Sequence, residues 1–101
     1  MAEFVSVAKV SELTPGTGMV VEVNGVSVAL FKIDGAVYAI DNTCPHRGGP
    51  LGAGTVEGRV VTCPLHMWDF DICTGEFTAN REIRIATYAV EVEGDEIKVA
   101  V

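Results

Sequence analysis

The chain has 101 residues, 49% of them hydrophobic and 21% charged, which is enough apolar material for one folded core and too little length for a second catalytic or dinucleotide-binding unit. A formal net charge of −7 opposes binding to nucleic acid or to an anionic membrane surface and suits a basic protein partner. No apolar run reaches the 18 or more residues of a transmembrane helix, and Met1-Ala2-Glu3-Phe4 lacks the charged and hydrophobic regions of a secretory signal, so the expectation is a cytoplasmic protein with 1–101 as one domain.

Near the N-terminus, Val10 to Leu13 has room for one helical turn at most before Pro15. Asn24-Gly25 and Asp34-Gly35 each pair residues tolerant of positive φ, which predicts type I′ turns joining strands over Met19 to Val23, Val26 to Ile33 and Ala36 to Ile40. Val26, Val28 and Leu30 alternate with Ser27 and Ala29, the period of a strand with one buried face. The stretch from Thr43 to Gly58 is glycine-rich, holds two prolines and shows almost no alternation, so it reads as a shaped loop. A strand-like piece, Arg59 to Thr62, leads into a second loop at Cys63-Pro64-Leu65-His66. Glu57-Gly58, Thr74-Gly75 and Gly94-Asp95 mark further turns. Ile83 and Ile85 alternate with Glu82 and Arg84, and Val90 and Val92 with Glu91 and Glu93. Without a long helix, a repeat or a low-complexity linker, the predicted class is all-β: an antiparallel sandwich or small barrel, with a loop-rich part at about 42–72.

The three cysteines (44, 63, 73) and two histidines (46, 66) are unevenly spread, four of the five falling in two tight pairs. An odd cysteine count without an export signal argues against a disulfide framework. The spacing is C-x-H-x16-C-x2-H, from Cys44, His46, Cys63 and His66, so each loop offers one sulfur and one nitrogen. Two readings stand: one tetrahedral zinc, or a two-iron cluster with thiolates on one iron and imidazoles on the other. Structural zinc fingers usually pair like ligands and follow the second pair with a helix. Mixed pairs on two loops favour the cluster, which both loops could grip from opposite sides.

Cys44-Pro45-His46-Arg47-Gly48-Gly49-Pro50-Leu51 and Cys63-Pro64-Leu65-His66 resemble the two cluster-binding loops of Rieske iron–sulfur proteins. A leading strand, the Gly25 and Gly35 hairpins and a late Glu-Gly-Asp-Glu turn extend the resemblance to the soluble Rieske-type ferredoxins. It implies the Rieske-type β-fold and one [2Fe–2S] cluster per chain, with Cys44 and Cys63 holding one iron and His46 and His66 the outer iron that takes the electron. Neutral imidazoles in place of two thiolates remove negative charge and localise the added electron there. In the respiratory cytochrome-complex members each loop carries an extra cysteine, and the two form a disulfide; here Gly49 and Leu65 stand at those positions. Those members also have a serine, which hydrogen-bonds to cluster sulfur, where this chain has Trp68. The resemblance therefore implies a carrier at the low end of the Rieske range, roughly −150 mV.

Other residues carry weaker expectations. Trp68 and Phe70 could shield the cluster, although core packing is the usual role of aromatics entering a strand. Arg47 and Met67 adjoin ligands. Cys73 is expected to be a buried or turn thiol and not a ligand. Glu91, Glu93, Asp95 and Glu96 read as a solvated face. Thr78-Ala79-Asn80-Arg81 has no proline, unlike the third loop of many family members. An oxygenase with its own Rieske domain also needs a mononuclear iron, commonly on two further histidines, and both histidines here are already assigned. What remains is a one-electron carrier, not an enzyme, between a flavin reductase and a terminal oxygenase such as a ring-hydroxylating dioxygenase. The alternatives are the small subunit of an NAD(P)H-dependent assimilatory nitrite reductase, with the large subunit as partner, and, from another class, a zinc-stabilised interaction module.

Overall fold

In the computed structural model of the protein, the described residues are 4–14, 16–43, 50–64 and 68–100. Their ordered elements are strands and two 3-10 turns. In chain order these are β1 (Phe4–Lys9), the turn Val10–Glu12, β2 (Gly18–Val23), β3 (Val26–Ile33), β4 (Ala36–Asp41), the turn Leu51–Ala53, β5 (Thr55–Glu57), β6 (Val60–Thr62), β7 (Asp69–Asp71), β8 (Glu76–Phe77), β9 (Asn80–Arg84), β10 (Thr87–Glu93) and β11 (Glu96–Ala100).

Tight turns set the registers. Asn24 and Gly25 (φ 50° and 81°) and Asp34 and Gly35 (φ 50° and 82°) have positive φ at both central positions, as type I′ turns require. The β2–β3–β4 meander follows from them, with Val23 opposite Val26 and Ile33 opposite Ala36. A six-stranded antiparallel sheet runs β1-β11-β10-β4-β3-β2. Its outer strands β1 and β2 touch, so the sheet curls nearly into a barrel. A second, five-stranded sheet runs β5-β6-β7-β8-β9.

Two cores result. Leu13, Val23, Val28, Leu30, Ala39, Ile97 and Val99 fill the curled sheet. Ala29, Phe31 and Ile40, from the opposite face of the same strands, pack with Leu51, Val61, Cys63, Phe70, Ile72 and Ile85 between the sheets. Burying each large side chain contributes about 1.5–3 kcal/mol.

Three expectations are corrected. The strand over 26–33 does not have one buried face: Val28, Ala29, Leu30 and Phe31 are all buried, because the strand is a wall shared by two cores and Ala29 is small enough to serve the second. The loop expected from Thr43 to Gly58 contains a 3-10 turn and strand β5, which take their order from pairing with β6 and not from any local period. Val92 was expected on a buried face and is 46% exposed; it lies near the end of β10, where little covers the pleat.

Candidate metal centre

The two loops expected to carry the ligands both have closed roots. The first departs from β4 and returns at the 3-10 turn: Thr43 pairs with Pro50 in an isolated bridge, and Leu51 N donates to Asn42 O at 2.7 Å. The second departs from β6 and returns at β7, where Cys63 N donates to Trp68 O at 2.8 Å. Just below it, Thr62 Oγ1 donates to Asp69 Oδ1 at 2.6 Å, tying the same two strands.

The two roots adjoin. Leu51 and Cys63, one at the end of the first loop and one at the start of the second, are both fully buried in the core between the sheets. A Cβ on Gly54 would collide with the Thr62 carbonyl oxygen, so glycine is what lets the chain leaving the first loop lie against the strand entering the second.

Of the four expected ligands, Cys63 lies among the described residues, buried at the mouth of its loop. Cys44 and His46 lie in the first loop and His66 in the second, outside the described residues, as do Arg47 and Met67. In the chain, Cys44 directly follows the bridged Thr43, and His66 lies between the hydrogen-bonded Cys63 and Trp68. The donor set, two thiols and two imidazoles on adjoining loops with one thiol already buried, fits a [2Fe–2S] cluster with cysteines on one iron and histidines on the other.

Aromatic rings support the second loop. Trp68 stacks on Phe77 with centroids 4.2 Å apart and planes 8° from parallel, and Phe70 lies 5.6 Å from Phe77. Phe70 is fully buried and Trp68 partly so, which places the packing role expected of both. Phe77 was not expected; its strand is two residues long and offers no period. Residues 78–79 form a short turn, since Phe77 pairs with Asn80, and Thr78 N donates to Asp69 O at 3.0 Å. The proline-free segment is thus hydrogen-bonded beside the second loop's return strand.

Cys73 stands apart. It lines a cleft of about 390 Å³ with Ile33, Asp34, Ala36, Tyr38, Gly58 and Arg59. That cleft lies at the end of the second sheet marked by the β5–β6 turn, whereas Cys63 is at the other end of β6. The hydrogen bond between the Tyr38 hydroxyl and the Cys73 thiol raises the Tyr38 pKa above its ordinary value. Asp71 organises this end: its carboxylate accepts from Arg59 Nε at 3.1 Å and from the Cys73 and Thr74 amides at 2.9 and 3.2 Å. Cys73 itself lies in the turn after β7, partly buried. The acidic group of β10 and β11 is exposed, with Glu93 paired to Lys98 at 2.9 Å and Asp95 bonded to the Ser11 hydroxyl at 2.8 Å. No helix of the described residues is long and apolar enough to cross a membrane.

Comparison with known proteins agrees with this geometry. The family model for the Rieske [2Fe–2S] domain matches residues 3–89. The ferredoxin component of the naphthalene 1,2-dioxygenase system of Pseudomonas aeruginosa is 38% identical, over 87% of this chain and 86% of the relative. Among solved structures, the ferredoxin of carbazole 1,9a-dioxygenase from Nocardioides aromaticivorans is 35% identical, covers 96% of both chains and superposes with a TM-score of 0.90. A Mycobacterium tuberculosis chain assigned as an NADH-dependent nitrite reductase small subunit is 27% identical, covers 100% of this chain and 96% of its own, and gives a TM-score of 0.92. With 87 of its 101 residues matched by the family model and loop roots that suit the family's cluster, this chain belongs to the Rieske [2Fe–2S] domain family.

Proposed function

We propose that this protein is the ferredoxin of a multicomponent oxygenase system, taking one electron at a time from a flavin reductase and passing it to a ring-hydroxylating oxygenase. The observation that carries the reading is the similarity, over nearly the whole chain, to ferredoxins of aromatic-ring dioxygenases. Such a component carries electrons and performs no catalysis itself. Residues 1–101 act as one domain in the cytoplasm and hold one cluster.

In this reading Cys44 and Cys63 hold the inner iron, and His46 and His66 hold the outer one. The cluster supplies reversible one-electron chemistry, which no side chain present offers. The chain's own contribution is to bury the Cys63 thiol, back the second loop with the Trp68–Phe77 stack and close both roots against water. An indole engaged with Phe77 stands where higher-potential members place a serine hydroxyl, and Gly49 and Leu65 stand where they place a disulfide, which supports a low potential. Assembly leaves the formal charge at −7, because the +2 oxidised core offsets two thiolates. The carrier therefore stays acidic and suits a basic docking face on its partners.

The test is reconstitution. The purified protein should accept electrons from NADH through a ferredoxin reductase and support turnover of a ring-hydroxylating oxygenase. The likeness to the nitrite reductase small subunit supports a second reading, in which the chain copurifies with a large flavo-haem subunit and its removal abolishes nitrite reduction. Transfer to the oxygenase without such an association sinks the second reading, and the converse sinks the first.

A further inference from the structure

We infer that Asn42 is the positioning residue of the first ligand loop, a clasp that holds both ends of the segment carrying Cys44 and His46. The inference rests on the assignment of those two residues as ligands. Asn42 is anchored twice on β3: its amide nitrogen donates to Ser27 O at 3.1 Å, and its Nδ2 donates to Ser27 Oγ at 3.2 Å. It then reaches across the loop twice. Its carbonyl accepts from Leu51 N at 2.7 Å, and its Oδ1 accepts from Gly52 N at 2.7 Å. Leu51 and Gly52 open the 3-10 turn on the far side of the loop. One residue therefore fixes where 43–50 begins and where it ends.

The chemistry suits few other side chains. Asn42 is only 8% exposed, where an unpaired amide or hydroxyl is costly. An acceptor toward Gly52 and a donor toward Ser27 are needed at once, and a carboxamide offers both on one short stem. Gly52 completes the fit. A Cβ there would collide with Val20 Cγ2 and come within 2.9 Å of Asn42 Oδ1, so glycine is what lets the turn settle onto both β2 and the amide. On the loop side of the clasp, Thr43 pairs with Pro50 in an isolated bridge and Thr43 N donates to Asp41 Oδ1 at 2.9 Å, and Leu51 is held separately by its burial in the core. Without the Asn42 carboxamide, Gly52 N would lose its acceptor and the loop's two ends their side-chain brace, leaving the backbone bond from Leu51 N and the Thr43–Pro50 bridge to hold the segment that carries Cys44 and His46.

The experiment compares iron release from oxidised holoprotein to an excess chelator, together with the paramagnetic resonance g-values of the reduced form, across four variants. Asn42→Leu keeps the volume and removes the two side-chain bonds of the clasp, leaving its two backbone bonds in place. Asn42→Asp keeps the acceptor for Gly52 and lets the Ser27 hydroxyl turn to donate. Ser27→Ala removes one anchor. Ile97→Val lowers stability in the distant barrel core. We expect Asn42→Leu to release iron roughly tenfold faster than wild type, the low end of what support residues of metal ligands are worth, with shifted g-values. Asn42→Asp and Ser27→Ala should lie between the two, and Ile97→Val should match wild type in both readouts. Should Asn42→Leu fail to fold, wild-type release rates and g-values in both Asn42→Asp and Ser27→Ala would overturn the inference. It is equally overturned if a folded Asn42→Leu behaves like Ile97→Val. A wild-type protein that binds no iron would instead refute the ligand assignment beneath it.

Discussion

The interior of the curled six-stranded sheet is lined by aliphatic side chains from strands joined through tight turns, and none of its buried members is polar. The core beneath the ligand loops combines Leu51, Cys63, Phe70 and the packed Trp68 and Phe77. The two buried polar residues described in the molecule, Asn42 and Asp71, both adjoin it. Each organises irregular backbone: Asn42 the first ligand loop, Asp71 the turn after β7. The barrel is stabilised by apolar area and local turns, while the site half adds side-chain-to-backbone hydrogen bonds and ring contacts to its own apolar core. A ligand loop cannot use a regular ladder, because its backbone must be free to surround a cofactor, so its ends are fixed from below.

Breaking the site chemistry should separate the halves most sharply. Cys63→Ala or His66→Ala is expected to abolish the cluster's visible and paramagnetic signals, while far-ultraviolet circular dichroism keeps its strand signature. Loss of both together would mean that the barrel depends on the cluster. Phe70→Ala, which empties a fully buried position under the second loop, should cost about 3–5 kcal/mol in denaturant melts and quicken iron release. Ile97→Val should cost about 0.5–1.5 kcal/mol and leave the release rate unchanged.

The Arg59–Asp71 pair offers a finer contrast. Arg59 has a side chain 56% exposed against 11% for Asp71, and Asp71 also serves the two turn amides. Asp71→Ala should therefore cost about 1–3 kcal/mol, whereas Arg59→Ala should cost less than about 1 kcal/mol; equal losses would show that the ion pair and not the turn is what matters.

The smallest effect belongs to the barrel's exposed face. The hydrogen bond and charge of Lys98 hold the Glu93 carboxyl below its ordinary value, and Glu93 raises Lys98 in return. A depressed carboxylate contributes stability above its unfolded pKa and loses it as pH falls through the folded one. The raised lysine contributes below its unfolded pKa and loses it as pH rises through its folded value. Lys98→Ala should slightly flatten the acid limb of the stability–pH curve below the ordinary carboxylate range, and only at low salt.

What could be read from sequence follows the same division. Asn24-Gly25 and Asp34-Gly35 dictate positive φ locally, so the meander and its register were legible. The pairing of Cys44 with His46 and of Cys63 with His66 is plain in residue type and spacing, and the roots of the two loops that carry them adjoin in the structure. Strand β5 was not legible, since Thr55 to Glu57 is too short to show a period and is ordered by pairing with β6. Asn42 gave no signal beyond being a polar residue before a loop, and its role exists only once Ser27 and Gly52 are brought to it. Phe77 was hidden likewise, in a strand too short to show a period, until Trp68 is placed against it.

The most direct test of the central claim is a redox titration of the purified protein followed by paramagnetic resonance. The account predicts a one-electron transition at the low end of the Rieske range, roughly −150 mV, with the low average g-value of a histidine-ligated [2Fe–2S] centre. Protein that contains zinc and no iron, and stays silent at every potential, would contradict it.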